Sequence, residues 1–226
     1  MMRGDRPIDQ ELDHLRERLL YMASLVERAI SQALDSLVKP DVELARRTIE
    51  ADREVDQLEV EIEEECIRLL ALRQPLAGDL RFISRALKIT TDLERIGDLA
   101  VNICERALEL AEEPPLKPYI DIPRMAEMAQ SMVRRALEAF VRKDVELALQ
   151  VCRDDQVVDS LEEQVFRELL TFMIEDPRTV TRAMRISFVS KYLERIADHA
   201  TNVAENVIYI VEAKDIRHGA YEEQAR

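Results

Sequence analysis

Tryptophan is absent from the 226-residue chain, glycine occurs four times, and the aromatic residues together make up 4%. So little glycine and so few rings exclude a turn-rich β fold, because strands draw on aromatic and β-branched residues and their tight turns draw on glycine. The three cysteines, Cys66, Cys104 and Cys152, are odd in number and widely separated. They form no CxxC pair and no disulfide framework, and each lies among apolar residues at helical spacing, as buried free thiols do. No uncharged run approaches the roughly 20 residues that span a bilayer. The amino terminus, MMRGDRPIDQ, has no apolar signal segment, so the expected compartment is the cytoplasm. GxSxG, HExxH and P-loop patterns are also missing, and no serine has a credible triad around it. Basic charge is the other scarcity, with 32 Lys and Arg against 46 Asp and Glu for a net charge of −14. Such a field repels nucleic acid and anionic lipid; metal cations or basic protein surfaces fit it better.

What remains is helix-forming material, 47% hydrophobic and 35% charged. Apolar residues at steps of three and four predict six helical segments, over Ile8–Val38, Val42–Leu72, Asp79–Glu112, Met125–Phe140, Val145–Met173 and Thr179–Val211. Gly97 is a weak point in the third. Between the third and fourth, EEPPLKPYIDIP (112–123) holds four of the eight prolines and marks a boundary. The two halves repeat one another. Asp41–Ala45 reads DVELA, as does Asp144–Ala148, and Val55, Asp56, Leu58 and Glu59 match Val158, Asp159, Leu161 and Glu162 at the same offset of 103. After the next turn the offset becomes 100, pairing DLERIGDLAVNICE (92–105) with YLERIADHATNVAE (192–205). Constant offsets argue for internal duplication. The expected fold is all-α, two tandem, similar, antiparallel three-helix bundles with six main helices, divided into residues 1–114 and 115–226.

At about 100° per residue, Glu94, Asp98, Asn102 and Glu105 share one stripe, nearly opposite the apolar Leu93, Ile96 and Ile103. Glu194, Asp198, Asn202 and Glu205 repeat it, facing outward from the bundle core. The second helices add Asp52, Asp56, Glu59 and Glu63 in one half and Asp155, Asp159 and Glu162 in the other, where Phe166 replaces the fourth acid. Carboxylates converging from two helices repel one another unless a cation, a proton or an arginine satisfies them. Oxygen-rich ligation suits Mg2+, Mn2+, Ca2+ or ferric iron, with Zn2+ a further divalent candidate and a polynuclear cluster a further arrangement. His199 has two readings, a core-boundary residue, since its counterpart is Leu99, or a supplementary ligand. His14 and His218 have no constellation around them. Arg81, Arg85 and Lys88, with Arg178, Arg182, Arg185 and Lys191 in the other half, read as a charge-balanced surface.

RQPLAGDLRFISRALKITTDLERIGDLAVNI (73–103), with YLERIADHATNVAE, closely resembles the PhoU family of phosphate-transport regulators over nearly the whole chain. The resemblance implies two three-helix bundles, a homodimer, and a non-catalytic adaptor that restrains phosphate uptake and the phosphate-starvation response. Its partners would be the ATPase of the phosphate transporter and a phosphate-sensing histidine kinase, with the membrane reached only through them. The family's E/DxxxD pattern falls on Asp52, Asp56, Glu94, Asp98, Asp155, Asp159, Glu194 and Asp198, flanked by Asn102 and Asn202, and implies surface clusters of iron or other cations there. Tyr192 stands opposite Asp92 in the repeat and Phe166 opposite Glu63, so the second set has fewer oxygen ligands. The competing reading is a metal-storage protein or a carboxylate-metal hydrolase.

Overall fold

A computed structural model describes residues 6–216; His218 lies outside them. Helices α1 (Pro7–Val38), α2 (Val42–Ala51), α3 (Arg53–Leu72) and α4 (Ala77–Leu110) build the first unit. After the proline-rich connection come α5 (Asp121–Arg142), α6 (Val145–Glu175), a 3-10 turn (Pro177–Thr179) and α7 (Val180–Glu212). The duplicated DVELA has a local cause. Asp41 accepts a hydrogen bond from Leu44 N at 2.9 Å, and Asp144 accepts one from Leu147 N at 3.0 Å, so each copy caps the helix it opens. Lys143 and Ala213 close α5 and α7 in the left-handed conformation, with φ of 55° and 58°.

The architecture is all-α, six main helices in two bundle-like units, with one departure from strict duplication: the second segment of the first unit is divided at Asp52, whereas α6 is continuous. Gly97 sits opposite the division. A Cβ there would lie 2.8 Å from Asp52 Oδ1 and 3.4 Å from Val55 Cγ1, so a larger residue at this position would require the Asp52 side chain to move. The matching position in α7 is Ala197, fully buried beside the unbroken α6. Gly97 is therefore a point of close helix contact within an intact helix.

The units share a single core. Helices α4 and α7 pack antiparallel against each other along much of their length, and one contiguous set of buried side chains runs from Leu15, Leu19 and Met22 through Ile89 and Leu93 to Ile196 and Val207. Helices α1 and α5 touch on one side of this central pair, and Phe82 of α4 stacks on Phe140 of α5 with ring centroids 5.8 Å apart. Each bundle thus completes its core against the other. Arg6 anchors the chain start, its Nη1 donating to Asp79 Oδ2 at 2.9 Å while Asp79 also accepts from Leu76 N at the head of α4.

Three of the basic residues near the starts of the third helices, Arg85, Arg182 and Arg185, prove to be ties between the units, whereas Arg178 and Lys191 pair locally with Asp176 and Glu194. Arg85 donates to Asn206 Oδ1 at 3.2 Å and stacks 3.7 Å over the Tyr209 ring, whereas Arg185 binds Glu109 at 2.8 Å and Glu113 at 3.0 Å. Positions 109 and 209 correspond in the repeat, so one pseudo-symmetric contact is a cation–π pair in one copy and a salt bridge in the other. All three cysteines are free and buried, and burial pushes their thiols up to about 12 at Cys66, 11 at Cys104 and 12 at Cys152.

Candidate functional site

Two carboxylate seams follow from this packing, one where α2 and α3 meet α4 and the other where α6 meets α7. In the first, Asp52, Asp56, Glu59, Glu94 and Asp98 lie within electrostatic reach of one another; in the second, Asp155, Asp159, Glu162, Glu194 and Asp198 do. The seams are less outward than a helical wheel implies. The side chains of Glu94 and Glu194 are only 15% and 14% exposed, because the neighbouring helix covers a stripe that a wheel for α4 or α7 alone leaves open. Asp52 and Asp155 are half-buried; Asp56 and Asp159 stand in solvent.

Burial without compensation sets the chemistry. Asp52 is pushed up to about 6 by desolvation and then by Asp56 and Asp98; Glu94 reaches about 7 through desolvation and Asp98. Asp155 reaches about 7 through desolvation and the charges of Asp198, Asp159 and Glu194, and Asp159 and Asp198 rise for the same kinds of reason. Four carboxylate oxygens, Asp52 Oδ1, Glu94 Oε2, Asp155 Oδ1 and Glu194 Oε2, are buried without a hydrogen-bond partner. They occupy corresponding positions in the two repeats. Local cations answer only part of the charge: Arg95 lies 3.2 Å from Asp98 Oδ2 and 3.4 Å from Glu94 Oε2, and Lys191 bonds Glu194 Oε1 at 2.6 Å.

The expectation of bound metal, whether Mg2+, Mn2+, Ca2+, Zn2+ or polynuclear iron, is corrected here. Among the described residues no group of three or more His, Cys, Asp or Glu side chains converges so as to hold an ion. The acids are strung along a seam, turn by turn, with Arg95 and Lys191 turned onto the innermost of them. Spacing of four residues secures a common face, and coordination demands convergence on a point.

The asparagines do not close the seams. Asn202 donates to Asp92 Oδ1 at 3.2 Å, across the α4–α7 contact, and its carbonyl accepts from Asn206. His199 belongs to that contact too, with Nδ1 2.9 Å from Asp92 Oδ1. Asn102 is half-buried on α4. An open groove of about 530 Å3 lies alongside, lined by Glu63, Lys88, Asp92, Asn202 and Asn206 among others. His14 stands apart, 3.1 Å from Glu65 Oε1 on the face between α1 and α3. Sequence reading noted Asp92 and His199 separately and missed that they meet. The signal lay in a doubled exchange: Asp92 corresponds to Tyr192 and His199 to Leu99, so in an antiparallel helix pair related by the repeat, a polar pair in one copy is matched by two apolar residues in the other.

Comparison with known proteins places this arrangement. The PhoU domain matches residues 19–107 and again residues 122–207. A phosphate-specific transport system accessory protein PhoU homolog of Aquifex aeolicus is 49% identical over 209 residues, covering 92% of this chain and 95% of the relative. The corresponding accessory protein of Escherichia coli K12 is 36% identical over 208 residues, 92% of this chain and 86% of its own length. Among solved structures, PhoU from Pseudomonas aeruginosa superposes with a TM-score of 0.89 at 43% identity, covering 91% of this chain and 99% of that one. The phosphate transport system regulatory protein PhoU from Streptococcus pneumoniae gives 0.85 at 28% identity, covering 92% and 98%.

Proposed function

The chain belongs to the PhoU family of phosphate transport regulatory proteins, and from that premise we propose that it is a cytoplasmic adaptor that joins a phosphate ABC transporter to a phosphate-sensing histidine kinase. Its role in phosphate homeostasis is regulatory and non-catalytic, as the family's is. On this reading the chain acts by contact, as a homodimer, and meets the membrane only through its partners; no helix among the described residues is long and apolar enough to cross one. Two repeats, residues 1–114 and 115–226, carry the contact surfaces, and the two separate PhoU-domain matches support that division.

The observation that carries the proposal is the pair of seams in which four buried carboxylate oxygens, at corresponding positions of the two repeats, make no hydrogen bond. A buried acceptor without a donor costs about 1–3 kcal/mol, and a fold that repeats the same cost at corresponding positions retains it for something that supplies donors. Asp52, Asp56, Glu94, Asp98, Asp155, Asp159, Glu194 and Asp198, with Asn102 and Asn202 at the flanks, form the surface we assign to basic groups of the partner proteins. Loss of the metal set removes the support for a storage protein or a metal hydrolase. The test is reconstitution of the full chain with the transporter ATPase and with the sensor kinase, at high and low phosphate. Binding that weakens when Asp52, Asp56, Asp155 and Asp159 are changed to Asn supports the reading; no binding to either partner at either phosphate level overturns it.

A further inference from the structure

Partway along the second seam the chemistry changes. Helices α6 and α7 run back on each other from the turn at Pro177–Thr179, and charge contacts set their register: Asp155 lies near Asp198, Asp159 near Glu194, and Glu162 near Lys191. In the same register Phe166 comes level with Phe188, Leu170 with Met184 and Ile174 with Val180. All six are exposed, from 38% at Met184 to 74% at Ile174. Spaced by four residues, each trio spans about 80° of its helix, so the two trios flank one continuous seam. Tyr192 stacks on Phe188 with ring centroids 6.3 Å apart, at the border with the acids.

The first repeat shows that folding does not require three of these side chains. Its residues at the positions of Phe166, Met184 and Phe188 are Glu63, Ser84 and Lys88, whereas Ile67, Ala71 and Leu80 keep the positions of Leu170, Ile174 and Val180 apolar. The second repeat thus widens an exposed apolar strip with two rings and a methionine that the scaffold does not demand, and a patch enlarged in that way marks a binding surface. The acidic half of the seam states what must cover it. Five carboxylates gather there, answered by Lys191 on Glu194, by the His199 ring near Asp198 and by the Thr201 hydroxyl beside Asp155, and Glu194 Oε2 is buried without a hydrogen bond. The complement is positive charge at one end and apolar surface at the other. From Asp155 to Ile174 the seam is about 30 Å long, the length of a helix of roughly 20 residues.

We propose that the α6–α7 seam docks an amphipathic helix of a partner protein, whose apolar stripe covers Phe166, Leu170, Met184 and Phe188 and whose Lys or Arg side chains enter between Asp155, Asp159 and Glu194. This rests on the reading of the chain as a protein that acts by contact, and it assigns the second repeat aromatic anchors, Phe166 and Phe188, where the first carries Glu63 and Lys88. Helix-in-groove recognition uses the same division, with apolar anchors for affinity and flanking charge for orientation.

The probe is a fluorescein-labelled helical peptide of about 20 residues, with leucines at i, i+3 and i+4 spacing in one half and arginines in the other, titrated against the full chain by fluorescence anisotropy. Saturable binding is expected. The double variant Phe166→Glu with Phe188→Lys, which installs the side chains the first repeat carries, weakens it at least about tenfold with the far-UV circular dichroism unchanged. Asp155→Asn with Asp159→Asn weakens the arginine peptide and leaves its Arg→Gln counterpart, already weaker, unaffected. The proposal is overturned if the peptide does not bind, or if it binds the Phe166/Phe188 variant as tightly as the parent. It is equally overturned if that variant abolishes sedimentation as a dimer or abolishes binding to phosphatidylglycerol vesicles, since a second copy or a lipid surface would then be the occupant. Each outcome is read without transporter or kinase, so a failure here is separate from a failure of the reconstitution.

Discussion

Changing Asp155 to Asn stabilises the protein at about pH 8, stabilises it less than half as much at about pH 5, and does not stabilise it below the unfolded value of 3.8. Asp155 is half-buried, and desolvation, followed by the charges of Asp198, Asp159 and Glu194, pushes it from an ordinary 3.8 up to about 7. A raised carboxyl holds its proton more tightly in the folded chain than in the unfolded one, so its favourable contribution is complete below the unfolded value and is lost as pH rises through about 7. Above that, the folded protein carries a half-buried anion among like charges, which asparagine abolishes with nearly the same shape. The rise from 3.8 to about 7 corresponds to roughly 4 kcal/mol taken whole. Screening at a half-exposed site reduces this to about 1–2 kcal/mol. Urea unfolding followed by far-UV circular dichroism reads it as a higher midpoint at unchanged slope, and thermal unfolding as a gain of roughly 3–6 °C for a chain of this size. A variant no more stable than the parent at the higher pH, or equally stabilised at both, would show that the seam is not an uncompensated acidic cluster and refute the reasoning.

Other perturbations follow the same geometry. Gly97→Ala gains helix propensity but places its Cβ against Asp52 Oδ1; in an Asp52→Ala background it is more favourable by at least about 0.5 kcal/mol, and additive effects in the four-member cycle would deny the contact. His199→Leu and Asp92→Tyr, which copy the other repeat, each destabilise by about 1–2 kcal/mol by stranding a partner, and the double variant regains at least half; a strictly additive loss counts against the pseudo-symmetric exchange. The thiols of Cys66, Cys104 and Cys152 remain unmodified by a thiol-specific reagent in the native protein and react together on unfolding, whereas rapid labelling of any one would contradict its burial. Dialysis against a chelator leaves the thermal midpoint within about 1 °C, and a fall of several degrees would reinstate a bound metal ion.

The helical class, the six main segments and the duplication were legible along the chain, because each depends on order in sequence: apolar residues at steps of three and four, the doubled DVELA caps, and the constant offsets. Break positions were harder to see. Asp52 interrupts the second segment in one repeat while its counterpart Asp155 does not, and no local breaker residue distinguishes them. The carboxylate faces were legible as stripes on single helices and not in depth, since a wheel describes one helix and the neighbour that half-covers Glu94 or Glu194 comes from elsewhere in the chain. Arg85 and Arg185 read as solvated surface for the same reason, their partners lying 121 and 72 residues away.

By itself the sequence determined what repeats every turn or every repeat unit: helix, amphipathic face, net charge of −14, and the resemblance in its doubled LERIxD that family membership bears out. Tertiary structure decided what depends on convergence. It joined two bundles into one core along α4 and α7, put Asp92 against His199, and laid the acids out along seams rather than around a point, so that the expected metal set does not form. Periodicity is a one-dimensional property that neighbours in the chain enforce through backbone geometry. Coordination, compensation of charge and exposure of the α6–α7 patch are three-dimensional, fixed only when segments a hundred residues apart take up their register.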